Sequence, residues 1–420
     1  MRWILFILPF LLPAQGYSQG DQFTLQELIE HGLKHNKQLQ AQRLEVKAKT
    51  AEIGPSSSLD DPMLSFEAMN YPTDTWSTGK TGMTGRQLWL SQKIPFPGKL
   101  GAKEDMAQAE AQRENHFEKA KELEVVRDIK ILYANVYLAH RRKDILEDQR
   151  TLIEKTLKVA RSKYTTGTTS QADVLNLQVE YGKLTDKILE AQKSIDTLNA
   201  EIIHHLGGVS EFENKRPAPL PRTDLSVQSL DYKNLLGESL TNNPAIHAMH
   251  SEREARDHEK SYAKKGYLPD FEIGVGYTLR NPSLMDNGVD FASVKIGISI
   301  PLWAGSKQSE EIRAASFRES KAEVMVENEK IHIERAVRVS FSELNEADKR
   351  LELFETSLLP LATQASQSSR AAYLAGKLDF STFIQALSTQ FETELSREEA
   401  LVKRENRIAE LEAILGRNIK

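Results

Sequence analysis

The sequence predicts a mixed α/β chain, mostly helical, made of two tandem copies of one unit. Each unit combines a long-helix hairpin with a two-stranded β-hairpin. Three observations predict it. A helical pattern of about 66 residues runs from Gly98 to Tyr164 with no Pro inside it and no Gly beyond Gly101, which at 1.5 Å per residue is a rod of ~100 Å. Four sequence anchors recur in register at a nearly constant offset. Four short segments alternate apolar with small or polar residues at the two-residue period of a strand.

Taken in order, the chain opens Met1-Arg2-Trp3, is apolar from Ile4 to Leu12, and continues Pro13-Ala14-Gln15-Gly16-Tyr17-Ser18. One basic residue, a short apolar core and small residues at alternate positions describe a secretory signal peptide over 1–18, cut after Gly16 or Ser18. The alternative, an uncleaved anchor, has about half the ~20 apolar residues that a bilayer span needs.

The first copy, 19–215, starts with a helix of about 30 residues from Thr24 to Ile53. Two strand segments follow. Leu64, Phe66 and Ala68 alternate with Ser65 and Glu67; Leu88, Leu90 and Ile94 then face away from Ser91 and Lys93, up to a stop at Pro95. In the long helix, Ile131, Leu138, Ile145, Leu152 and Val159 form one column beside a second of Val125, Leu132, Ala139, Leu146, Ile153 and Ala160. A doubled stripe is too wide for a two-stranded seam and suits a helix gripped from two sides. Tyr164-Thr165-Thr166-Gly167 makes a turn, and a last helix of about 36 residues closes the copy.

Pro217, Pro219 and Pro221 mark a linker over 216–224. The second copy, 225–420, repeats the series. Asn36-Lys37-Gln38-Leu39 matches Asn243-Pro244-Ala245-Ile246, Lys93-Ile94-Pro95 matches Ser299-Ile300-Pro301, Tyr164 to Gly167 matches Tyr373 to Gly376, and Leu206-Gly207 matches Leu415-Gly416, at offsets of 206 to 209 residues. Its opening helix is expected from Leu230 to Lys264. Its strands alternate more cleanly, with Phe271, Ile273, Val275, Tyr277 and Leu279 in one and Val294, Ile296, Ile298 and Ile300 in the other, ending at Pro301. Its long helix, from about Ser306 to Leu374, contains Pro360, which predicts a kink or local unwinding. A ~30-residue and a ~36-residue helix placed end to end match the ~66-residue rod. In this arrangement two short helices lie in line beside one long one.

Composition narrows the class. The 420 residues carry a net charge of -5 and no cysteine, which removes disulfides, thiolate metal sites and a lipid-accepting thiol. Mild acidity argues against nucleic acid as a partner. After residue 18 no run of ~18 apolar residues offers a helical span. The strands tell more. Segments of about ten residues with this dyad alternation carry the signature of outer-membrane barrel strands, apolar toward lipid and polar toward a lumen; the alternative is a half-buried soluble sheet. Four strands are too few to close a barrel, and unpaired edges are not left in hydrocarbon, so several chains must share one. Counting alone permits a dimer, trimer or tetramer.

The doubled layout, the opening Thr24-Leu25-Gln26-Glu27-Leu28 with His35-Asn36, the strand-ending Ile94-Pro95-Phe96-Pro97-Gly98-Lys99-Leu100 with its partner Ile300-Pro301-Leu302-Trp303, and the paired Tyr-x-x-Gly turns together resemble the TolC-type outer-membrane efflux family over nearly the whole mature chain. The resemblance implies a homotrimer with a 12-stranded outer-membrane β-barrel continuous with a 12-helix periplasmic α-barrel. It further implies a passive exit duct that works with a periplasmic adaptor and an inner-membrane pump, with type I protein secretion as an alternative service. The Pro-Phe-Pro-Gly-Lys segment is similar to that of ducts serving heavy-metal pumps of the resistance-nodulation-division class.

For the site, the resemblance assigns Asp173 and Tyr373 to the hydrogen-bond network of a gate at the helix tips. Tyr164, Gly167, Thr168, Gly376 and Lys377 supply the tip turns and the adaptor-docking surface. The acidic ring common in the family would fall on Thr382 and Gln385, so a cation-binding constriction is not expected there; Asp379 lies close by. Asp173 also reads as an ordinary helix-start carboxylate. His31 with His35, and His247 with His250, share helical faces at metal-ligand spacing, and His204-His205 adjoin, but a pair without a third ligand reads as polar surface. No Walker loop, His-Glu-x-x-His or Gly-x-Ser-x-Gly occurs, so neither an enzyme nor a cofactor is expected. The rival class is a periplasmic coiled-coil protein with a soluble sheet.

Overall fold

The computed structural model describes residues 22–419 apart from Val209, Asn214, Leu284 and Met285; the expected signal peptide lies outside the described residues. The elements run β1 (Gln22–Phe23), α1 (Leu25–His35), α2 (Lys37–Ser57), β2 (Met63–Met69), β3 (Gly85–Ile94), α3 (Lys99–Thr165), α4 (Gln171–His205), β4 (Arg216–Pro217), α5 (Tyr232–Asn242), α6 (Pro244–Lys264), β5 (Phe271–Arg280), β6 (Phe291–Ile298), α7 (Gln308–Leu353), a π-helical turn (Phe354–Leu358), α8 (Leu359–Leu374) and α9 (Phe380–Leu415). The 67-residue α3 is the expected rod. Among the described residues no helix is long and apolar enough to cross a membrane.

Several expectations need correction. The helix expected from Thr24 to Ile53 is two helices, broken at Asn36, and the one expected from Leu230 to Lys264 breaks at Asn243. In both places a short polar side chain offers the backbone a better partner than the next helical turn. The Asn36 amide oxygen accepts from Leu39 N at 3.0 Å, and that of Asn243 from Ala245 N at 2.8 Å. β6 ends at Ile298, short of Pro301; Ser299 N donates instead to Asp270 O at 2.8 Å. The long second helix is interrupted before Pro360 by the π-helical turn. Proline lacks an N–H and its ring crowds the carbonyl four residues earlier, and a wider turn relieves both faults without breaking the rod.

The described residues fall into two units. The first takes in those of Met1–Gln40, Glu122–Ser239 and Arg335–Lys420. Its core packs Phe23, Leu28 and Leu39 against Val125, Ile129, Tyr133 and Val136 of α3, against Ile202 of α4 and against Leu206 that caps it. Here α4 ends against the break between α1 and α2. The Asn36 Nδ2 donates to His205 O at 2.9 Å, and Gly207, at φ +71°, passes so close that a Cβ would sit 2.1 Å from His35 O. Within this unit the end of α4 therefore meets the α1–α2 junction.

The linker is part of the same unit, not a free tether. β1 pairs in parallel with β4, and Tyr133 Oη donates to Ala218 O at 2.7 Å. Arg404 of α9, 2% exposed, donates to Thr223 O at 3.1 Å and Leu225 O at 2.8 Å while pairing with Asp348 at 2.7 Å and Glu405 at 2.6 Å. A buried guanidinium satisfied on every side fixes the linker's path along the helices.

The second unit takes in Ala41–Lys121 and Leu240–Glu334. It holds a four-stranded antiparallel sheet in the order β2-β3-β5-β6 and the helical segments leading to it. Polar pairs bind those helices, such as Gln42 to Glu114 at 2.8 Å, Arg43 to Glu118 at 3.2 Å, and Arg113 to Glu252.

Gly207→Ala should lower stability by about 2–4 kcal/mol, because it combines a left-handed φ with a clash against backbone that cannot yield. Thermal unfolding of the detergent-purified protein would read this as a lower midpoint; an unchanged midpoint would contradict the Gly207 contact.

Candidate functional site

The sheet of the second unit presents two chemically opposite faces. Paired residues share a face, and the register puts Leu64 beside Leu90, Leu90 beside Val275, and Val275 beside Val294. Phe66, Leu88, Tyr277, Ile273, Ile296 and Ile298 fall on the same side, and all are exposed, Val294 at 75% and Ile296 at 73%. Burying an apolar face is what stabilises a sheet in water, and this one is left bare across all four strands. The opposite face carries Gln87, Trp89, Ser91, Lys93, Glu272, Ser293 and Lys295, with the Trp89 indole lying across Gly274 and Gly276. A Cβ at Gly276 would meet that ring at 2.1 Å, so the strand is glycine-rich there to seat it. Lys99, 7% exposed, ties the sheet's foot by donating to Asp270 at 2.7 Å and Leu268 O at 2.9 Å.

The tips belong to the first unit. Both turns use the same device. Gly167 at φ +74° and Gly376 at φ +73° end their helices in the left-handed region. Thr168 N then donates to Lys163 O, and Lys377 N to Ala372 O, each at 2.9 Å. Each following helix is capped, α4 by Ser170 and α9 by Asp379. Tyr164 is 46% exposed, and Gly167, Thr168, Gly376 and Lys377 are exposed beside it.

Tyr373 and Asp173 come together at this end. Tyr373 is 7% exposed, stacked on Phe383 at 5.1 Å between ring centres, in a cluster with Ile153, Leu157, Leu177 and Leu387. Among the described residues its buried hydroxyl makes no well-formed hydrogen bond, and the Thr169 side chain is the polar group it approaches. Burial first, and the Asp173 charge second, push its pKa above the usual phenol value. Asp173 lies in the first turn of α4 and accepts from the Thr169 hydroxyl at 2.9 Å. Asp379 is committed to capping. The Thr382 N–H and the Ser381 and Thr382 hydroxyls donate to it and hold its carboxyl well below the usual range. One tip residue escaped the sequence reading. Lys163 Nζ donates to Leu374 O at 2.6 Å, joining the end of α3 to the end of α8; a lysine in the last turn of a helix was the available signal.

Among the described residues no group of three or more histidine or acidic side chains is arranged to hold a metal ion. His31 stacks with His35 at 5.6 Å and abuts Phe212, while His247 faces His116 of α3 at 5.3 Å. His140 is the most perturbed histidine. Burial, helped by the charge of Arg216, drives its pKa down to about 4.

A bare apolar sheet face backed by a polar one is the arrangement of an outer-membrane barrel wall. The fold is that of solved channels. It superposes on the outer-membrane channel OprN with a TM-score of 0.79 at 16% identity, covering 93% of this chain and 89% of that one. CusC, whose structures concern folding and transmembrane channel formation, gives 0.78 at 16%, covering 94% and 92%; VceC of Vibrio cholerae gives 0.78 at 17%, covering 94% and 97%. No curated protein sequence matches the chain. The sequence profile described as Outer membrane efflux protein matches residues 28–208 and again 235–417, and the chain belongs to that family. It is an outer-membrane efflux channel, of a family of ducts and not of enzymes.

His140 gives a pH prediction. Its folded pKa lies below the ordinary ~6.5, so the unfolded chain takes up the proton first as pH falls. The stability conferred by the neutral ring is whole above pH ~6.5 and is lost progressively toward pH ~4. Melting curves from pH 7 to 4.5 should drop less steeply for His140→Gln than for the wild type; parallel curves would refute the assignment.

Proposed function

We propose that three copies of this chain, each two repeats of one unit, close their sheets into a 12-stranded barrel in the outer membrane and their helices into a 12-helix periplasmic tunnel. The observation that carries this reading is the bare apolar face of the four-stranded sheet. Its outer strands β2 and β6 each have one neighbour in the chain, and hydrocarbon does not tolerate unpaired edges, so strands of further copies must complete it. The duct is passive. Its energy comes from an inner-membrane pump reached through a periplasmic adaptor, and cargo is selected there. The exposed tip turns, from Tyr164 to Thr168 and at Gly376 and Lys377, form the adaptor's docking surface. The heavy-metal branch of the pumps draws support only from the Pro95-Phe96-Pro97-Gly98-Lys99 motif.

The membrane reading is checked by extraction and electrophoresis. The protein should require detergent for release from envelopes and migrate as an oligomer that boiling converts to monomer; full release into detergent-free buffer would sink it.

The tip is proposed as the gate. The buried Tyr373 hydroxyl lies beside Thr169 and in the field of Asp173, where the two helical hairpins meet, which is the place a closed ring of tips would be held. Asp173→Ala or Tyr373→Phe removes about one hydrogen bond, worth ~1 kcal/mol, and shifts the closed-to-open ratio about fivefold. Planar-bilayer conductance should rise accordingly in each variant, and wild-type conductance in both would exclude these residues from the gate.

A further inference from the structure

At the foot of the sheet, between the end of α6, the strand ends and the start of α7, the second unit contains a cavity of about 610 Å³. Most of its charges are already matched, Lys99 with Asp270 and Arg318 with Glu259 at 2.5 Å. Three groups are not. Lys307 and Glu311 form no ion pair among the described residues. Gln308, 9% exposed, keeps its side-chain carbonyl oxygen buried without a donor. Gly266 opposite leaves room beside them. A Cβ there would lie 3.6 Å from Gln308 Cγ and 3.9 Å from a Glu311 carboxylate oxygen. The cavity's outer lip is apolar, with Ile300 at 71%, Leu302 at 77% and Trp303 at 71% exposure, continuing the bare face of the sheet.

We infer that this cavity binds the headgroup of a phosphatidylethanolamine molecule from the periplasmic leaflet. The unmatched groups ask for one anion, one cation and one hydrogen-bond donor, which a phosphate with a primary ammonium supplies together. The phosphate pairs with Lys307 at the start of α7, where the helix dipole favours negative charge. The ammonium pairs with Glu311 and donates to the Gln308 oxygen, meeting the need of a buried acceptor. The acyl chains lie along Ile300, Leu302 and Trp303, with the indole at the water interface where such rings settle. The inference rests on the sheet lying in a bilayer, as proposed above.

The discriminating ligand is phosphatidylcholine, whose quaternary ammonium has the same charge and no N–H to donate. Native mass spectrometry of the detergent-purified oligomer with added phosphatidylethanolamine, phosphatidylcholine or phosphatidylglycerol should show phosphatidylethanolamine retained roughly tenfold better than phosphatidylcholine, the difference one charge-assisted hydrogen bond makes. Gln308→Leu should reduce that preference and Gln308→Leu with Glu311→Ala should erase it, and Lys307→Ala, an exposed change with no bearing on folding, should weaken retention of both zwitterionic lipids. Equal retention of all three lipids by the wild type, or a preference that survives the Gln308→Leu and Glu311→Ala pair, would overturn the site while leaving the barrel standing. A chain recovered as a detergent-free soluble protein would overturn the bilayer reading and this site with it.

Discussion

The contact on which the helical part depends is the one between Asn36 and the end of α4. Beside the 67-residue α3, α1 and α4 end and α2 begins at one place, and their meeting ends carry backbone groups that burial would leave unpaired. Asn36 resolves this with one side chain. Its oxygen caps α2, its nitrogen satisfies the last turn of α4, and its own N–H closes α1 on Gly32 O at 2.9 Å. Gly207 turns away in a conformation, and at a distance, that a Cβ would forbid. In the second copy Asn243 likewise caps the start of α6, and Gly416, at φ +73°, ends α9.

The sheet obeys a different constraint. In water its face of Leu, Ile, Val and Phe would be a liability, and its stability has to come from the solvent that covers it. The polar face is then the one that needs shaping, and Trp89 over Gly274 and Gly276 shows how. A large ring lies flat across the neighbouring strand, where any side chain would have lifted it. The foot of the sheet is held by Lys99, whose reach to Asp270 and Leu268 gives the Pro-Phe-Pro-Gly-Lys segment a mechanical role independent of any cargo.

Legibility in the sequence followed the range of the interaction. The rod, the strands and the tip turns rest on periodicity and on Gly or Pro placement, which are local, and each is found within a few residues of its expected bounds. The breaks at Asn36 and Asn243 were hidden because their cause is a capping bond that competes with helix continuation, and an asparagine in an amphipathic run does not announce which wins. The linker was legible from its prolines, but its path was not. What fixes it, Arg404 and Tyr133, lies far away in the chain. Pro360 was legible as a disturbance, but only the observed geometry distinguishes a π-helical turn from a kink. At the tips, Asp173 and Tyr373 were placed by resemblance, whereas Lys163 could have been found from its position in the last turn of α3.

The bonds at the tips sort into two kinds, and the division bears on how a gate there would move. Gly167, Gly376, the Thr168 and Lys377 amides, and the Ser170 and Asp379 caps all act inside one helical hairpin, as does the stack of Tyr373 on Phe383. Between the hairpins run the Lys163 bond to Leu374 O, the approach of Asp173 to Tyr373, and apolar packing of Leu157 and Leu177 against the Tyr373 and Phe383 side. The first set is local and mutually supporting; the second is one exposed hydrogen bond, the polar approach of Asp173 and Thr169 to Tyr373, and a shared apolar cluster. Movement of one hairpin against the other would act on the second set alone. Each hairpin would keep its turn intact and swing as a rigid body, and Lys163 would be among the first contacts released.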